Sequence, residues 1–197
     1  MGVVESASRL FDLLGSRDTT FTKYLKPGLS EDEIRPIIEP TGVELPSEAV
    51  AFYSRFNLPK GYQYSPDRPK FFGIYWLLSL EDAVEQHLFR RSIDYYEERE
   101  SSWLPLLQED ANFYFLETAH ITGGTCPVTY LSEYEMDPEV RFVSLEAMFD
   151  TLYYWAYEGV LEIEDGHIVG EYEGDPVRVA QIAAKINPGV RRWETGT

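Results

Sequence analysis

The feature that most restricts how this chain can fold is a run of four consecutive large apolar residues, FYFL, at 113–116. Successive side chains of a β-strand point to opposite faces of the sheet, so a strand of this composition needs cover on both faces. We therefore predict that residues 113–116 form a central strand. The apolar run at 103–107, which a turn at Glu109-Asp110 separates from it, is predicted to be a neighbouring strand.

Other apolar patterns predict a mixture of strands and helices. Residues 71–78, 128–131 and 140–143 have the length and composition of strands. Serine caps predict helices at 47–56, 79–99 and 144–158, and Asp175-Pro176 predicts the start of a last helix. The chain should therefore have an α+β fold, with one antiparallel-rich central sheet flanked by helices.

Two helix starts lie close together within residues 30–57. Ser30 and Glu33 have the spacing of a capping box, which satisfies amide donors at the start of a helix. Pro36, inside the following helix, predicts a kink or a later start because it removes an amide donor. Leu45-Pro46 then forces an extended chain before a second helix, which Ser47 can cap. The spacing i, i+3, i+4, i+7 predicts that the buried stripe of this helix contains Ala49, Phe52, Tyr53 and Phe56.

This arrangement resembles the opening of the SUKH superfamily, also called the SMI1/KNR4 family. There, a short acidic helix precedes the pattern g..LP..l..fy...NG, and a compact α+β domain follows. The matching positions are Gly42, Leu45, Pro46, Phe52, Tyr53 and Asn57. Further agreement at 75–81, 112–116, 127–128 and 144–149, leading to Gly159, extends the similarity over residues 29–160. The segment 58–61 departs from the family, which has glycines after the asparagine, so this loop is expected to have a different shape and partner.

The resemblance suggests a division of the 197 residues. We expect residues 1–28 to be an N-terminal extension packed loosely on the domain, and residues 29–160 to be a single SMI1/KNR4-like domain. Residues 161–197 should add a hairpin and a helix to the same domain. Asp165-Gly166 predicts that hairpin, because the pair suits the positive φ angles of a type I′ turn. This register places Ile163 opposite Ile168 and Glu164 opposite His167.

The charge of the chain favours some partners and disfavours others. Its 34 acidic and 17 basic side chains give a net charge of −17, which repels nucleic-acid phosphate and anionic lipid and favours a basic partner. We therefore expect no direct binding to nucleic acid or membranes. No apolar run approaches the roughly 20 residues of a membrane helix, and the N-terminus lacks a secretory pattern. Together with the lone Cys126, these features predict a cytoplasmic protein.

The acids are concentrated between Glu133 and Asp175, where thirteen of them accompany one base, Arg141. This region is either a solvated face or a docking surface for a cationic protein. Two tyrosines of the proline-rich loop at 57–70 are a second candidate, because aromatic rings serve as interface hot spots, although they could instead cap the sheet edge. The predicted partner-binding residues are Tyr62, Tyr64, Glu162, Glu164, Asp165, Glu171 and Glu173.

Catalytic chemistry finds little support in the sequence. The three histidines, His87, His120 and His167, lack the i, i+4 spacing of a helical metal pair, and one cysteine is too few for a structural zinc site. His120 and Cys126 could form a base and a nucleophile, but no family signature surrounds the cysteine. There is also no phosphate-binding or hydrolase motif. We therefore predict no catalytic residues, no metal and no cofactor.

The resemblance implies that the chain is a binding protein. Bacterial members of the SUKH superfamily are immunity proteins that neutralise cognate toxins, often nucleases, so a basic toxin is the expected partner. A regulatory scaffold, as in fungal relatives, is the alternative, and an uncharacterised hydrolase is the least favoured class. The sequence leaves the oligomeric state open.

Overall fold

The structure, a computed structural model, describes residues 2–61, 69–93, 101–132, 137–170 and 174–195. Its helices are α1 (Val3–Arg17), α2 (Glu31–Ile38), α3 (Ser47–Arg55), α4 (Leu80–Arg91), α5 (Leu145–Tyr157), α6 (Pro176–Ile186) and α7 (Arg191–Thr195). Its strands are β1 (Lys26–Pro27), β2 (Phe56–Asn57), β3 (Trp76–Leu77), β4 (Trp103–Glu109), β5 (Asn112–Glu117), β6 (Val128–Leu131), β7 (Glu139–Phe142), β8 (Ile163–Glu164) and β9 (His167–Ile168).

A five-stranded antiparallel sheet in the order β3-β4-β5-β6-β7 lies at the centre of the fold. The predicted central strand is β5, and its apolar residues are buried on both faces. Tyr114 and Leu116 belong to the main core, whereas Phe113 and Phe115 form a second cluster with Trp103. Helices flank this sheet, so the predicted α+β class is confirmed.

Helix α1 is part of the main core, so the prediction of a loosely packed N-terminus is wrong. Ala7, Leu10 and Leu14 are fully buried, and Phe11 makes an edge-on contact with Phe149 of α5 at 5.9 Å between ring centroids. The apolar residues recur at helical spacing from Val3 onward. This buried face makes the N-terminal segment an integral part of the core.

The predicted strand at 71–78 is interrupted by a tight turn. Phe71 N–H donates to Tyr75 O at 2.8 Å and Tyr75 N–H donates to Phe72 O at 2.9 Å, and only Trp76–Leu77 joins the sheet. Gly73 has a φ of +52°, a conformation that suits glycine because it has no Cβ. An apolar run thus contained a turn because one glycine allowed it.

Helix ends differ from prediction in three places. Pro46 rather than Ser47 is the N-cap of α3, and the Ser47 hydroxyl donates to Gly124 O at 3.2 Å. The same helix ends at Arg55, because the chain becomes extended to pair β2 with β1. Helix α4 ends at Arg91, short of the predicted 99, and residues 94–100 lie outside the described ranges.

Several predicted helix starts are confirmed. The Glu33 carboxylate accepts hydrogen bonds from both the amide and the hydroxyl of Ser30 at 2.7 Å, and α2 continues through Pro36 without a later start. The hydroxyls of Ser79 and Ser144 accept hydrogen bonds from amides three residues ahead, at 3.1 and 3.0 Å. These caps fix where the helices that surround the sheet begin.

Candidate functional site

The predicted hairpin forms with the expected register. Ile163 pairs with Ile168 and Glu164 pairs with His167, and the turn residues Asp165 and Gly166 have φ angles of +47° and +76°. Ile168 is buried and Ile163 half-buried, whereas the three acids of the hairpin are exposed. Those acids are Glu162, Glu164 and Asp165.

Backbone contacts hold the hairpin against the core. Gly73 N–H donates to Ile168 O at 2.7 Å, and Ile168 N–H donates to Phe71 O at 3.3 Å. At the turn, a Cβ on Gly166 would lie 2.9 Å from Phe21 N and from Thr20 Cβ. The segment at Thr20 and Phe21 therefore packs against the hairpin turn as closely as a glycine there permits. The hairpin therefore presents its carboxylates from a well-supported element.

The hairpin, the end of α5 and the start of α6 line an open cavity of about 360 Å³, which we call the acidic cavity. Its lining residues are Gly159, Val160, Glu162, Glu164, Val169, Gly174, Asp175 and Arg178. Val160 and Val169 are buried and apolar, whereas the three acids are exposed to solvent. Exposed acids and buried core valines therefore both contribute to the lining of the acidic cavity.

The charge around the acidic cavity is strongly negative. Arg178 is the one base among its lining residues, and its guanidinium lies 3.9 Å from the carboxylate of Glu158. Asp175 caps α6 by accepting hydrogen bonds from Val177 N–H at 2.9 Å and Arg178 N–H at 3.4 Å. Glu158 follows the last turn of α5, where the helix dipole already places partial negative charge.

Arg141, the one base that the sequence places among these acids, does not balance them at the surface. It is buried, its Nε lies 3.0 Å from Glu139, and its guanidinium stacks over the ring of Tyr130 at 4.8 Å. Trp193 of α7 donates its indole N–H to Arg141 O. Arg141 is therefore committed to packing α7 against the sheet.

The structure brings only part of the predicted site together. Glu162 and Glu164 line the acidic cavity, and Asp165 lies at the hairpin turn. The other predicted residues, Tyr62, Tyr64, Glu171 and Glu173, lie outside the described ranges. Sequence analysis did not include Arg178, because it ended the acidic stretch at Asp175. The predicted helix start at Asp175-Pro176 would have placed Arg178 on the same helical turn as Asp175.

A second acidic site is buried, and we call it the Glu48 junction. The Glu48 carboxylate accepts hydrogen bonds from the backbone amides of Cys126 at 3.2 Å, Leu145 at 3.1 Å and Glu146 at 3.1 Å. Ser144 caps the next amide, that of Ala147, so the first three amides of α5 all have acceptors. Burial raises the pKa of the Glu48 carboxyl, and the amide hydrogen bonds oppose that rise.

The two residues considered as nucleophile and base, Cys126 and His120, have different surroundings. Cys126 is buried, and burial raises the pKa of its thiol to about 12, so the reactive thiolate is disfavoured. His120 instead lies 3.2 Å from Glu117. Across the described ranges, no group of three histidine, cysteine, aspartate or glutamate side chains is placed to hold a metal ion.

Within the described part of the chain, no helix combines the length and the apolar character needed to cross a membrane.

Comparison with known proteins gives one positive result. No curated protein matches the sequence. The family model described as SMI1 / KNR4 family (SUKH-1) matches residues 28–151, from just before α2 into α5. The match includes the capping box, the Leu45-Pro46 pair, α3, the Glu48 junction and the whole five-stranded sheet. Because this match covers more than half of the 197 residues, the chain belongs to the SMI1/KNR4 family (SUKH-1).

Proposed function

We propose that this protein is a non-catalytic immunity protein that neutralises a cognate basic toxin, such as a nuclease, by covering it in the cytoplasm. Membership in the SMI1/KNR4 family, which includes immunity proteins, supports this class of function. The observation that carries the proposal is the group of exposed acids around the acidic cavity, on a hairpin that backbone hydrogen bonds hold to the core. The active site of a nuclease is basic, so such a surface is complementary to it.

The exposed hairpin acids Glu162 and Glu164 support a role in binding rather than in stability. Glu158 lies at the C-terminal end of α5, where a negative charge is unfavourable, and Glu162, Glu164 and Asp175 face the same cavity. Like charges gathered at a surface repel one another and reduce the stability of the folded state. A basic partner would relieve this repulsion on binding.

Long-range attraction and close contacts should contribute to different rate constants. Exposed charges act over roughly 8 Å at physiological salt and mainly accelerate association. Apolar and aromatic contacts instead set the lifetime of a complex. The proposed contacts of this kind are Tyr62 and Tyr64, together with Tyr157 and Val177, which are 63% and 61% exposed. Tyr157 and Val177 directly precede Glu158 and Arg178, so they flank the acidic cavity in the chain.

Stopped-flow association with a toxin encoded beside the gene would test this proposal. The variants are Glu162→Lys with Glu164→Lys, Tyr62→Ala, and a control with Asp12→Lys and Glu44→Lys, two exposed acids of α1 and of the segment before α3. At low salt we expect reversal at the hairpin to slow association about tenfold or more, and the control to change it much less. Tyr62→Ala should accelerate dissociation and leave association nearly unchanged.

Two results would contradict the proposal. Equal association rates for the hairpin and control reversals would mean that the acidic hairpin is only a solvated face. If no basic toxin binds at all, a regulatory scaffold becomes the better interpretation, and a search for cellular partners would follow.

A further inference from the structure

We propose that Ile74 is the apolar anchor by which this protein holds its basic protein partner. Ile74 lies in the turn at 72–75, which we call the anchor turn. The inference rests on the proposed function for the identity of the partner, and it adds the contact that sets the lifetime of the complex. Its basis is an exposed apolar side chain on a rigid turn that has acids on two sides.

Backbone hydrogen bonds and core packing hold the anchor turn in place. Tyr75 N–H donates to Phe72 O at 2.9 Å, and Phe71 N–H donates to Tyr75 O at 2.8 Å. Both phenylalanines are buried in the main core. Gly73 N–H donates to Ile168 O of the hairpin at 2.7 Å. A segment that is already fixed loses little conformational entropy on binding, so this turn is suited to hold a partner.

Ile74 is part of an apolar and aromatic surface at the tip of the anchor turn. Its side chain is 53% exposed, and its β-branched form has few rotamers. Next to it, half-buried Tyr75 packs edge-on against half-buried Tyr130 at 6.2 Å between ring centroids. A single exposed apolar residue is ordinary on a protein surface. Its combination with two partly exposed tyrosines on a rigid turn is typical of the centre of an interface.

Acids border the anchor turn on two sides. On one side, a backbone bridge joins Phe72 to β9, which pairs with β8 and its exposed Glu164. On the other side, β3 pairs with the end of β4, where half-buried Glu109 and exposed Asp110 follow. Interfaces commonly have an apolar centre and a polar rim. An acidic rim of this kind is complementary to a basic partner.

Two cations also lie near the anchor turn, and both stack on rings of the fold. Lys70 Nζ lies 3.0 Å from the centroid of the Trp76 ring. The guanidinium of Arg141 lies over the Tyr130 ring, and this arginine is buried beside Glu139. The chain as a whole has a net charge of −17, so two copies repel each other. The occupant that we infer is therefore a basic protein that presents an apolar recess bordered by arginine or lysine, and not a second copy of this chain.

Dissociation kinetics with a toxin encoded beside the gene would test the inference. Ile74→Ala should accelerate dissociation about tenfold and leave association nearly unchanged, because an apolar contact acts only at close range. The acceleration should be the same at low and high salt, since salt screens charges rather than apolar contacts. Urea denaturation of Ile74→Ala should match that of the unmodified protein, because the side chain is exposed.

Ile93→Ala is the matched control. Ile93 is a 43% exposed isoleucine that follows the end of α4, outside the anchor turn. Its replacement removes the same atoms from another part of the surface and should change neither rate constant. Equal dissociation rates for Ile74→Ala and Ile93→Ala would overturn the inference, and a toxin that still binds in that experiment would keep the proposed function.

The other outcomes separate the inference from the proposed function. If Ile74→Ala accelerates dissociation but reversal of Glu162 and Glu164 leaves association unchanged, the inference holds and the steering role of the hairpin is refuted. If no basic toxin binds, both fall. Sedimentation of the free protein tests the other occupant. A dimer that Ile74→Asp converts to a monomer would assign this surface to a second copy of the chain and overturn the inference.

Discussion

The Glu48 junction and the acidic cavity use the same chemical group in opposite ways. Glu48 is 8% exposed, and three backbone amides donate to its carboxylate. Glu162 and Glu164 are exposed and make no ion pair within the described ranges. A buried carboxylate with its hydrogen bonds satisfied joins parts of the fold, whereas exposed carboxylates without partners remain available to bind something else. Burial and partners, rather than residue type, separate the two roles.

Each end of helix α5 has one of the two kinds of acid beside it. At its start, Glu48 accepts hydrogen bonds from the amides of Leu145 and Glu146, where the helix dipole favours negative charge. At its end, Glu158 adds a negative charge where the dipole disfavours it, and the guanidinium of Arg178 is 3.9 Å away. The favourable end faces the interior and the unfavourable end faces the acidic cavity. The placement of charge along one helix thus agrees with a structural site at its start and with the proposed binding site at its end.

Replacement of Glu48 should have the largest effect on stability. Glu48→Ala leaves three buried or half-buried amides without an acceptor, and each such group costs about 1–3 kcal/mol, so we expect a loss of about 3 kcal/mol or more in the free energy of unfolding. Glu48→Gln keeps one acceptor oxygen and should lose less. Urea denaturation followed by circular dichroism would measure both changes.

Glu44→Ala is the matched control, since it removes an exposed glutamate four residues earlier in the chain. It should change the free energy of unfolding by less than about 0.5 kcal/mol. If Glu48→Ala and Glu44→Ala proved equally mild, the Glu48 junction would not hold the fold together and the contrast with the acidic cavity would fail.

The pH dependence of the Glu48 contribution provides a smaller and more specific effect. Because burial raises the folded-state pKa above the unfolded value, this group stabilises the fold most below the unfolded pKa, and that contribution is lost as pH rises through the folded pKa. Glu48→Gln cannot titrate. The difference in unfolding free energy between the unmodified protein and this variant should therefore grow as pH falls from about 7.5 to 5, by at most about 1.4 kcal/mol per pH unit.

Urea denaturation at several pH values, kept above the sequence pI of about 4.5, would measure that difference. Glu44→Gln again serves as the control and should show no such trend. A difference that instead grows toward pH 7.5 would mean that the three amides and the α5 dipole outweigh burial and hold the Glu48 pKa low.

Periodicity and local chemistry predicted much of this fold. The consecutive apolar residues of β5 indicated a strand covered on both faces, and the Asp165-Gly166 pair gave the hairpin register directly. These predictions succeeded because the forces that decide them act between neighbours in the sequence. The turn at Gly73 was not predicted, because Gly73 is held by a hydrogen bond to Ile168 of the hairpin, which lies far away in the sequence.

The Glu48 junction could not be predicted in this way. Glu48 looks like a solvent-facing residue in the first turn of α3, and its partners, Cys126 and Leu145, lie far along the chain. The acidic cavity was partly predictable, since charge counting identified Glu162 and Glu164. Its apolar wall and Arg178 depend on how α6 packs beside the hairpin, which no local pattern specifies.

The smallest effect on stability is expected at the acidic cavity itself. Glu162→Gln with Glu164→Gln removes two exposed charges that line the same cavity as Asp175, so it should relieve repulsion and leave the protein equally stable or slightly more stable, within about 0.5 kcal/mol. The gain should shrink at high salt, because screening already weakens repulsion between exposed charges. Urea denaturation at low and high salt would measure this change in stability, with Asp12→Asn and Glu44→Gln as the control for net charge.

A loss of more than about 1 kcal/mol would show that these glutamates have structural partners like those of Glu48. The acidic cavity would then be part of the scaffold, and the division between a structural and a binding acid would no longer hold.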